Sequence, residues 1–213
     1  PGFDGDPFSE WGANDRDTDD EAPPSEGVRI LHACSGPTRE GGYSYFLQQA
    51  GADCRDYDII NASRDDLTDD DAWQKLSQDV DDGAYDGMQA GPVCTTFSGV
   101  RGRNGGPPPL RDAVGPGLYG RRDISDEQKK QVSGDALIAI RVAWIALALL
   151  AQGKPFIIEQ PAVRRGLPHM FNMLEYQKLR AVAGVRMTSF VQCPLGSISE
   201  KATSVIHFLI RLP

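Results

Sequence analysis

The chain has 213 residues, a hydrophobic content of 40% and a formal net charge of −8 at pH 7. That length allows one good core and fits one folded domain better than two. The first residues do not form a signal peptide pattern, and the longest apolar stretch, Val142 to Ala151, is too short to span a bilayer. We therefore expect an intracellular protein with no membrane partner.

The four cysteines are spread along the chain and favour a reduced compartment. They form no CxxC pair and have no histidine at metal-ligand spacing, so no metal site is predicted. The four are Cys34, Cys54, Cys94 and Cys193.

Composition divides the chain into a short acidic segment and a longer remainder. Residues 1–27 contain nine acidic residues and one basic residue, which predicts a disordered tail or linker before one folded domain over 28–213. The domain stands alone or forms one module of a longer polyprotein. Thr95 to Pro213 holds sixteen basic and eight acidic residues. This half suits a phosphate-bearing partner, and equally a solvated basic surface.

Hydrophobic periodicity predicts strands that alternate with helices. In chain order, the predicted elements are a strand over Val28–Ala33, a helix over Tyr43–Ala50, a strand over Cys54–Ile59, a helix over Asp70–Asp81, a strand over Tyr85–Ala90, a helix over Asp126–Gln152, a strand over Phe156–Ile158, a helix near Phe171–Ala181, and two strands over Val185–Gln192 and Ala202–Leu209. This order predicts an α/β fold with a doubly wound, mostly parallel sheet covered on both faces.

Two residues whose side chains could take part in catalysis follow predicted strands. Cys94 follows the third strand, and Glu159 follows Phe156–Ile158. Because the carboxyl ends of parallel strands meet at one edge, where ligands gather, we expect the two side chains to lie close together. Each also has a structural interpretation, Cys94 as a small buried hydrophobe and Glu159 as a turn cap or surface ion pair.

The turn after the first strand is a candidate cofactor site, because nucleotide-type cofactors meet backbone amides there in doubly wound folds. Asp58 lies at the end of the second predicted strand, at the spacing expected of a ribose hydroxyl acceptor. A solvent-exposed turn residue would look the same in sequence. Between Thr95 and Ser125 the chain is rich in glycine, proline and arginine, which predicts a long loop with a functional role or disorder.

These motifs resemble those of the cytosine-C5 methyltransferase family. Pro92-Val93-Cys94 followed by Phe97-Ser98 is similar to the family's Pro-Cys motif, and Glu159-Gln160-Pro161 is similar to its Glu-Asn-Pro triplet. Val28 to Ile59 resembles the cofactor half of a class I methyltransferase of Rossmann-like fold. Near the end, Cys193 to Gly196 with Lys201-Ala202-Thr203 resembles an arrangement in short phage-type relatives.

The resemblance implies transfer of a methyl group from S-adenosylmethionine to carbon 5 of cytosine in DNA, with RNA left open as the substrate. Cys94 would attack carbon 6 of the base and Glu159 would hold its N3 and amino edge. The residues implied for the cofactor are Ala33, Cys34, Ser35, Gly36, Asp58 and Pro92. Arginines of the long loop are candidates for contacts to the nucleic-acid backbone, namely Arg101, Arg103, Arg111, Arg121 and Arg122.

The chain also departs from the family. An extra segment, Pro37 to Glu40, follows the first turn, no clear Gln-x-Arg-x-Arg segment is present, and no stretch is long enough for a separate target-recognition domain. Two other functions therefore stay open. One is an inactive nucleic-acid-binding module that keeps the fold. The other is an α/β cysteine hydrolase, in which Cys94 would need a histidine base from among His32, His169 and His207.

Overall fold

The computed structural model describes residues 27–98, 101, 105–192 and 201–209. The predicted tail therefore lies outside the described residues, apart from Gly27. Ten helices and strands organise the described part, in the order β1 (Arg29–Ala33), α1 (Tyr43–Gln49), β2 (Asp53–Tyr57), α2 (Asp70–Asp81), β3 (Gly87–Ala90), α3 (Asp126–Ala151), β4 (Phe156–Pro161), α4 (Leu174–Ala181), β5 (Arg186–Val191) and β6 (Ala202–Phe208).

The six strands form one sheet in the order β2-β1-β3-β4-β6-β5. Strands β2, β1, β3 and β4 are parallel to one another, whereas β6 runs antiparallel to both β4 and β5. The prediction of an α/β fold with a mostly parallel sheet is thereby confirmed.

Local signals at the helix starts explain why the two long helices begin where they do. The Asp69 side chain accepts hydrogen bonds from the backbone N–H groups of Asp71 and Ala72 at the start of α2. Ser125 and Gln128 form a reciprocal capping box at the start of α3. Such caps satisfy N–H groups that have no partner within the helix.

Helix α3 is the central helix of the core. By length and composition alone it could cross a membrane. Within the fold, however, α3 contacts α2, α4, β3 and β4, and Val142, Ala143 and Leu149 are completely buried. This packing places most of the apolar stretch from Val142 to Ala151 in the core of the domain.

The two faces of the sheet differ in character because side chains alternate across each strand. On one face, Leu31 and Ile158 join a continuous hydrophobic cluster with α2, α3 and α4. The opposite face carries His32 and Gln89 side by side, and Ser44 of α1 contacts His32. Sequence predicted cover on both faces, but the described helices cover them unequally, with only α1 on the polar side.

Strand β4 extends further than sequence predicts, and this corrects the expected position of Glu159. The prediction ended the strand at Ile158, but β4 continues to Pro161 because β6 supplies an antiparallel partner. Glu159 is therefore inside a strand. It still lies past the end of β3, since the last pair between β3 and β4 is Ala90 with Ile158.

Candidate active site

A cavity of about 400 Å³ opens at the carboxyl ends of β1, β3 and β4. This volume falls within the range of small-molecule sites. Cys94 and Glu159 both line it, as sequence predicts for residues at one edge of the sheet. The other predicted site residues in its wall are Cys34, Ser35 and Pro92.

Cys94 lies at the junction of two cavities. It also lines a second, smaller cavity of about 130 Å³, whose wall includes Ser98 and His169. The residue is half-buried and immediately precedes a 3-10 turn over Thr95–Phe97. Its sulfur is therefore accessible from a protected position, which is what a nucleophile needs.

Buried side chains hold the Cys94 loop on both sides. Gln160, 3% exposed, donates from Nε2 to the Pro92 carbonyl oxygen at 2.7 Å. On the other side, the buried Thr96 donates from Oγ1 to Asp135 Oδ2 at 2.6 Å. Gln160 therefore ties the loop to β4, and Thr96 ties it to α3.

Glu159 forms an ion pair at the mouth of the larger cavity. Its Oε1 atom lies 2.9 Å from Lys201 Nζ and accepts a hydrogen bond of 3.2 Å from Gln192 Nε2. Lys201 also lines this cavity. The Gln192 backbone N–H donates to the Lys201 carbonyl oxygen at 3.0 Å, which brings the ends of β5 and β6 together beside Glu159.

The turn after β1 is held from beneath by Asp58. Its Oδ2 accepts from the Gly36 N–H at 2.9 Å, and its Oδ1 accepts from the Ile60 N–H at 3.0 Å. Both carboxylate oxygens are thus engaged by the backbone. Asp58 and Gly36 do not line the cavity, and Ala33 is fully buried in the hydrophobic core. These three predicted cofactor residues therefore support the turn without lining the cavity themselves.

Cys34 occupies a constrained position in the same turn. Its φ angle of 54° lies in the left-handed region, and its N–H donates to the Tyr57 carbonyl oxygen at 2.9 Å. Burial of the sulfur, followed by the nearby Asp58 charge, raises the pKa of the thiol to about 12. Cys34 therefore stays a neutral thiol at physiological pH, unlike a reactive cysteine.

A polar cluster on β1 and β2 forms part of the cavity floor. His32 Nδ1 lies 2.8 Å from Asp56 Oδ1 and 2.8 Å from Ser44 Oγ, while Thr38 Oγ1 donates to Asp56 Oδ2 at 2.8 Å. Ser44 also donates to Asp56. Burial alone would raise the pKa of Asp56, but the hydrogen bonds from His32, Ser44 and Thr38 together outweigh burial and lower it.

This cluster brings potential metal ligands together. The ligand atoms of His32, Cys54 and Asp56 all lie within 4.8 Å of one another. Both oxygens of Asp56 already accept hydrogen bonds from protein donors, however. Two of the three potential ligands, His32 and Asp56, are thus hydrogen-bonded to each other.

Gln89 adds an unsatisfied acceptor to the same floor. It lies between His32 and Ile157 in the sheet register and lines the cavity. Among the described residues, its Oε1 atom is the one buried side-chain polar atom that lacks a hydrogen-bond partner. Since buried acceptors are normally paired, this atom is suited to a donor group on a ligand.

Arg111 has a structural position that differs from its predicted role. Its side chain is 1% exposed and donates to the carbonyl oxygens of Leu118 and Val132 at 2.9 and 2.8 Å. It also donates to Thr96 Oγ1 at 3.0 Å and lies 3.8 Å from the centre of the Phe97 ring. Burial lowers the pKa of Arg111 to about 10, so it is a buried cation without access to a phosphate.

The other predicted arginines are distributed unevenly. Arg101 donates to the carbonyl oxygens of Thr95 and Pro108. Arg121 pairs with Asp112 and Asp123. Arg122 is exposed, whereas Arg103 lies outside the described residues.

The three histidines are hydrogen-bonded to groups other than Cys94. His169 Nε2 lies 2.6 Å from the Pro161 carbonyl oxygen and its Nδ1 accepts from the Phe171 N–H, while burial lowers its pKa. His207 Nε2 lies 3.0 Å from Thr188 Oγ1, and His32 is bound within the polar cluster. The cysteine hydrolase, which needs a histidine directed at Cys94, gains no support from this arrangement.

A scan against protein-family models finds no match, and a search of curated proteins finds no significant relative. The resemblance to cytosine-C5 methyltransferases therefore depends on the short motifs and on the placement of their residues.

Sequence reasoning missed several side chains of the cavity. Gln89, Ser44 and Asp56 carry no motif. Strand register places Gln89 and Asp56 beside His32 of β1, and Ser44 reaches the same cluster from α1. His32 entered as a possible hydrolase base and Lys201 as part of a terminal motif, but neither was assigned to the site. Polar residues at alternate positions of short buried strands, such as His32 and Asp56, were the available signal.

Proposed function

We propose that the chain is an S-adenosylmethionine-dependent methyltransferase that acts on carbon 5 of cytosine in DNA through a covalent bond from Cys94. One observation carries the proposal, namely that Cys94 and Glu159 line a single cavity beside the turn after β1. Their motifs are nearly seventy residues apart in the chain, and the fold brings them to the same edge of the sheet. RNA remains the second candidate substrate.

The strand order also supports this assignment. An antiparallel strand, β6, is inserted between β4 and β5 at one end of an otherwise parallel sheet. A mostly parallel α/β sheet of this kind is compatible with the Rossmann-like fold that the sequence resemblance implies. The fold by itself permits other functions, so the site carries the argument.

The cavity contains groups that fit the cofactor. Adenosylmethionine carries an ammonium group, and the unpaired Oε1 atom of Gln89 offers an acceptor for it. Cys34 and Ser35 line the same wall and would contact the methionyl part. When bound, the cofactor supplies an electrophilic methyl group on a sulfonium. Asp58 would act indirectly by holding the Gly36 backbone in place.

The chain's own residues account for activation of the base. Cytosine carbon 5 is a weak nucleophile until a thiolate adds to carbon 6. Cys94, held between Gln160 and Thr96, is positioned to form that bond, and Glu159 is positioned to bind the polar edge of the ring. Loss of the carbon 5 proton to water and departure of the Cys94 thiolate then restore the ring.

Contacts to the nucleic acid would come from exposed basic residues near the cavities. Arg122 is an exposed residue of the long loop, Arg164 lines the smaller cavity next to Cys94, and Arg165, the next residue, is exposed. Phosphate contacts of this type give affinity without sequence preference. We therefore expect binding that weakens with salt and depends little on sequence.

The first test is calorimetric titration of the full chain with S-adenosylmethionine. The proposal predicts saturable binding, which weakens about tenfold in Gln89→Met because the variant removes the acceptor and keeps the side-chain size. Ile59→Ala, at an exposed position outside the cavity wall, is the matched control and should leave the affinity for S-adenosylmethionine near that of the wild type. Absence of binding both with and without DNA would contradict the proposed cofactor.

The second test traps the covalent bond. Fluorine at carbon 5 cannot leave as a proton does, so DNA containing 5-fluorocytosine should form a stable adduct with the wild-type chain in the presence of the cofactor. Cys94→Ser should lose the adduct and reduce methyl transfer by at least about 10³-fold, while Cys54→Ser, at a cysteine outside the cavity wall, should keep Cys94 chemistry intact. Normal methyl transfer by Cys94→Ser would exclude the mechanism.

A further inference from the structure

The ion pair between Glu159 and Lys201 places two opposite hydrogen-bonding groups side by side at the cavity. The two atoms, Glu159 Oε1 and Lys201 Nζ, are 2.9 Å apart, and both residues line the same cavity as Cys94. The carboxylate only accepts hydrogen bonds, whereas the ammonium only donates them. The pair therefore presents one acceptor and one donor at neighbouring positions.

The polar edge of cytosine has the complementary pattern. The exocyclic 4-amino group donates, and the adjacent ring nitrogen N3 accepts. A carboxylate facing the amino group and an ammonium facing N3 would satisfy both groups at once. This pairing leaves no need for Glu159 to carry a proton.

We propose that Lys201 is a catalytic residue that donates to cytosine N3, while Glu159 recognises the 4-amino group. This inference rests on the proposed function and assigns separate roles to two residues of that site. The sequence motifs do not predict a cation beside the cytosine, since no clear Gln-x-Arg-x-Arg segment is present. Lys201 supplies such a cation from the start of β6.

The chemistry balances with Lys201 as the proton donor. The Cys94 sulfur forms a bond to carbon 6, the carbon 5–carbon 6 double bond becomes single, and the displaced electrons move through carbon 4 onto N3. N3 takes a proton from the Lys201 ammonium, which becomes a neutral amine. After carbon 5 is methylated and loses its proton to water, the reverse shift expels the Cys94 thiolate and returns the N3 proton to Lys201.

Solvent exposure explains why the pair is available before the base binds. The Lys201 side chain is 50% exposed and that of Glu159 is 30% exposed, so each can exchange part of its interaction for contacts to the base. A surface ion pair contributes little to folding stability. Entry of the base removes water and strengthens both contacts, because charges interact more strongly in a less polar environment.

The test compares two trapping bases in otherwise identical DNA, 5-fluorocytosine and 5-fluoro-2-pyrimidinone. The second base lacks the 4-amino group and keeps N3. Lys201→Met should slow formation of the Cys94 adduct on the order of 10²-fold on both bases, as expected for loss of a general acid. Glu159→Gln should slow the adduct with 5-fluorocytosine, and this effect should largely disappear with 5-fluoro-2-pyrimidinone.

Two further variants complete the test. Lys201→Arg keeps a cationic donor that does not give up its proton, so it should restore only part of the rate that Lys201→Met loses. Lys178→Met, at an exposed lysine on α4, should have no effect. If Lys201 merely positioned Glu159, the slower adduct formation in Lys201→Met would also largely disappear with 5-fluoro-2-pyrimidinone, as it does in Glu159→Gln. That result would overturn the inference. An unchanged rate in Lys201→Met would also overturn it, with the proposed function intact. Failure of the wild-type chain to form any adduct would overturn both proposals.

Discussion

The two faces of the sheet are built from alternate residues of the same strands, yet one face forms the hydrophobic core and the other carries polar side chains of the candidate site. Ile158 is completely buried against α3, whereas its neighbour Ile157 lies on the opposite face in the row that contains His32 and Gln89. A one-residue step along a strand moves a side chain to the other face. Folding stability and candidate chemistry are thereby separated within a few ångströms of backbone.

The largest effect on stability is expected at Arg111, the buried cation beside the α3 face. Arg111→Met removes the donors that bind the carbonyl oxygens of Leu118 and Val132 and leaves these acceptors without partners. We expect the free energy of unfolding to fall by about 3 to 5 kcal/mol. Urea denaturation followed by circular dichroism measures the change.

The exposed Arg122 provides the matched control for that substitution. Arg122→Met should change the free energy of unfolding by less than about 0.5 kcal/mol, but it should weaken binding to DNA at low salt. A stable Arg111→Met variant with weakened DNA binding would reverse the roles assigned to the two arginines.

A paired substitution in β4 tests the comparison of the two faces directly. Ile158→Ala creates a cavity in the core and should cost about 2 to 5 kcal/mol. Ile157→Ala, which removes the same atoms from a half-buried side chain, should cost roughly 1 kcal/mol. Equal losses measured by urea denaturation would mean that both faces contribute similarly to the core.

The apolar face was accessible to sequence reasoning because it follows a period. Alternation along Leu31 and Ala33, and the apolar length of α3, predict the strands and the central helix almost at their observed bounds. The extension of β4 to Pro161 was not predictable in this way. Its last residues pair with β6, more than forty positions later in the chain, and no local pattern specifies that partner.

The candidate site was predictable only where a motif marks it. Cys94 and Glu159 carry motifs and lie at the same cavity, as expected. Gln89 lines that cavity from β3, and Lys201 lines it from the position just before β6. Arg111 does not line it, and its guanidinium donates instead to the carbonyl oxygens of Leu118 in the loop and Val132 in α3. An arginine in a glycine-rich loop looks the same in sequence whether its guanidinium faces solvent or backbone carbonyls.

A smaller stability effect than those at Arg111 and Ile158 is expected at Asp56, on the polar face. Asp56→Asn keeps the shape of the side chain but removes the charge that accepts from His32, Ser44 and Thr38, so we expect a loss of about 1 to 2 kcal/mol at pH 7. Its folded pKa is lowered, so its contribution is complete above the ordinary aspartate pKa of about 3.9 and disappears as pH falls through the lower folded value. The difference in unfolding free energy between wild type and variant should therefore shrink as the pH falls below the ordinary aspartate pKa of about 3.9. A difference that grew on acidification would mean that the pKa of Asp56 is raised by its burial, and that the hydrogen bonds on the polar face do not compensate for it.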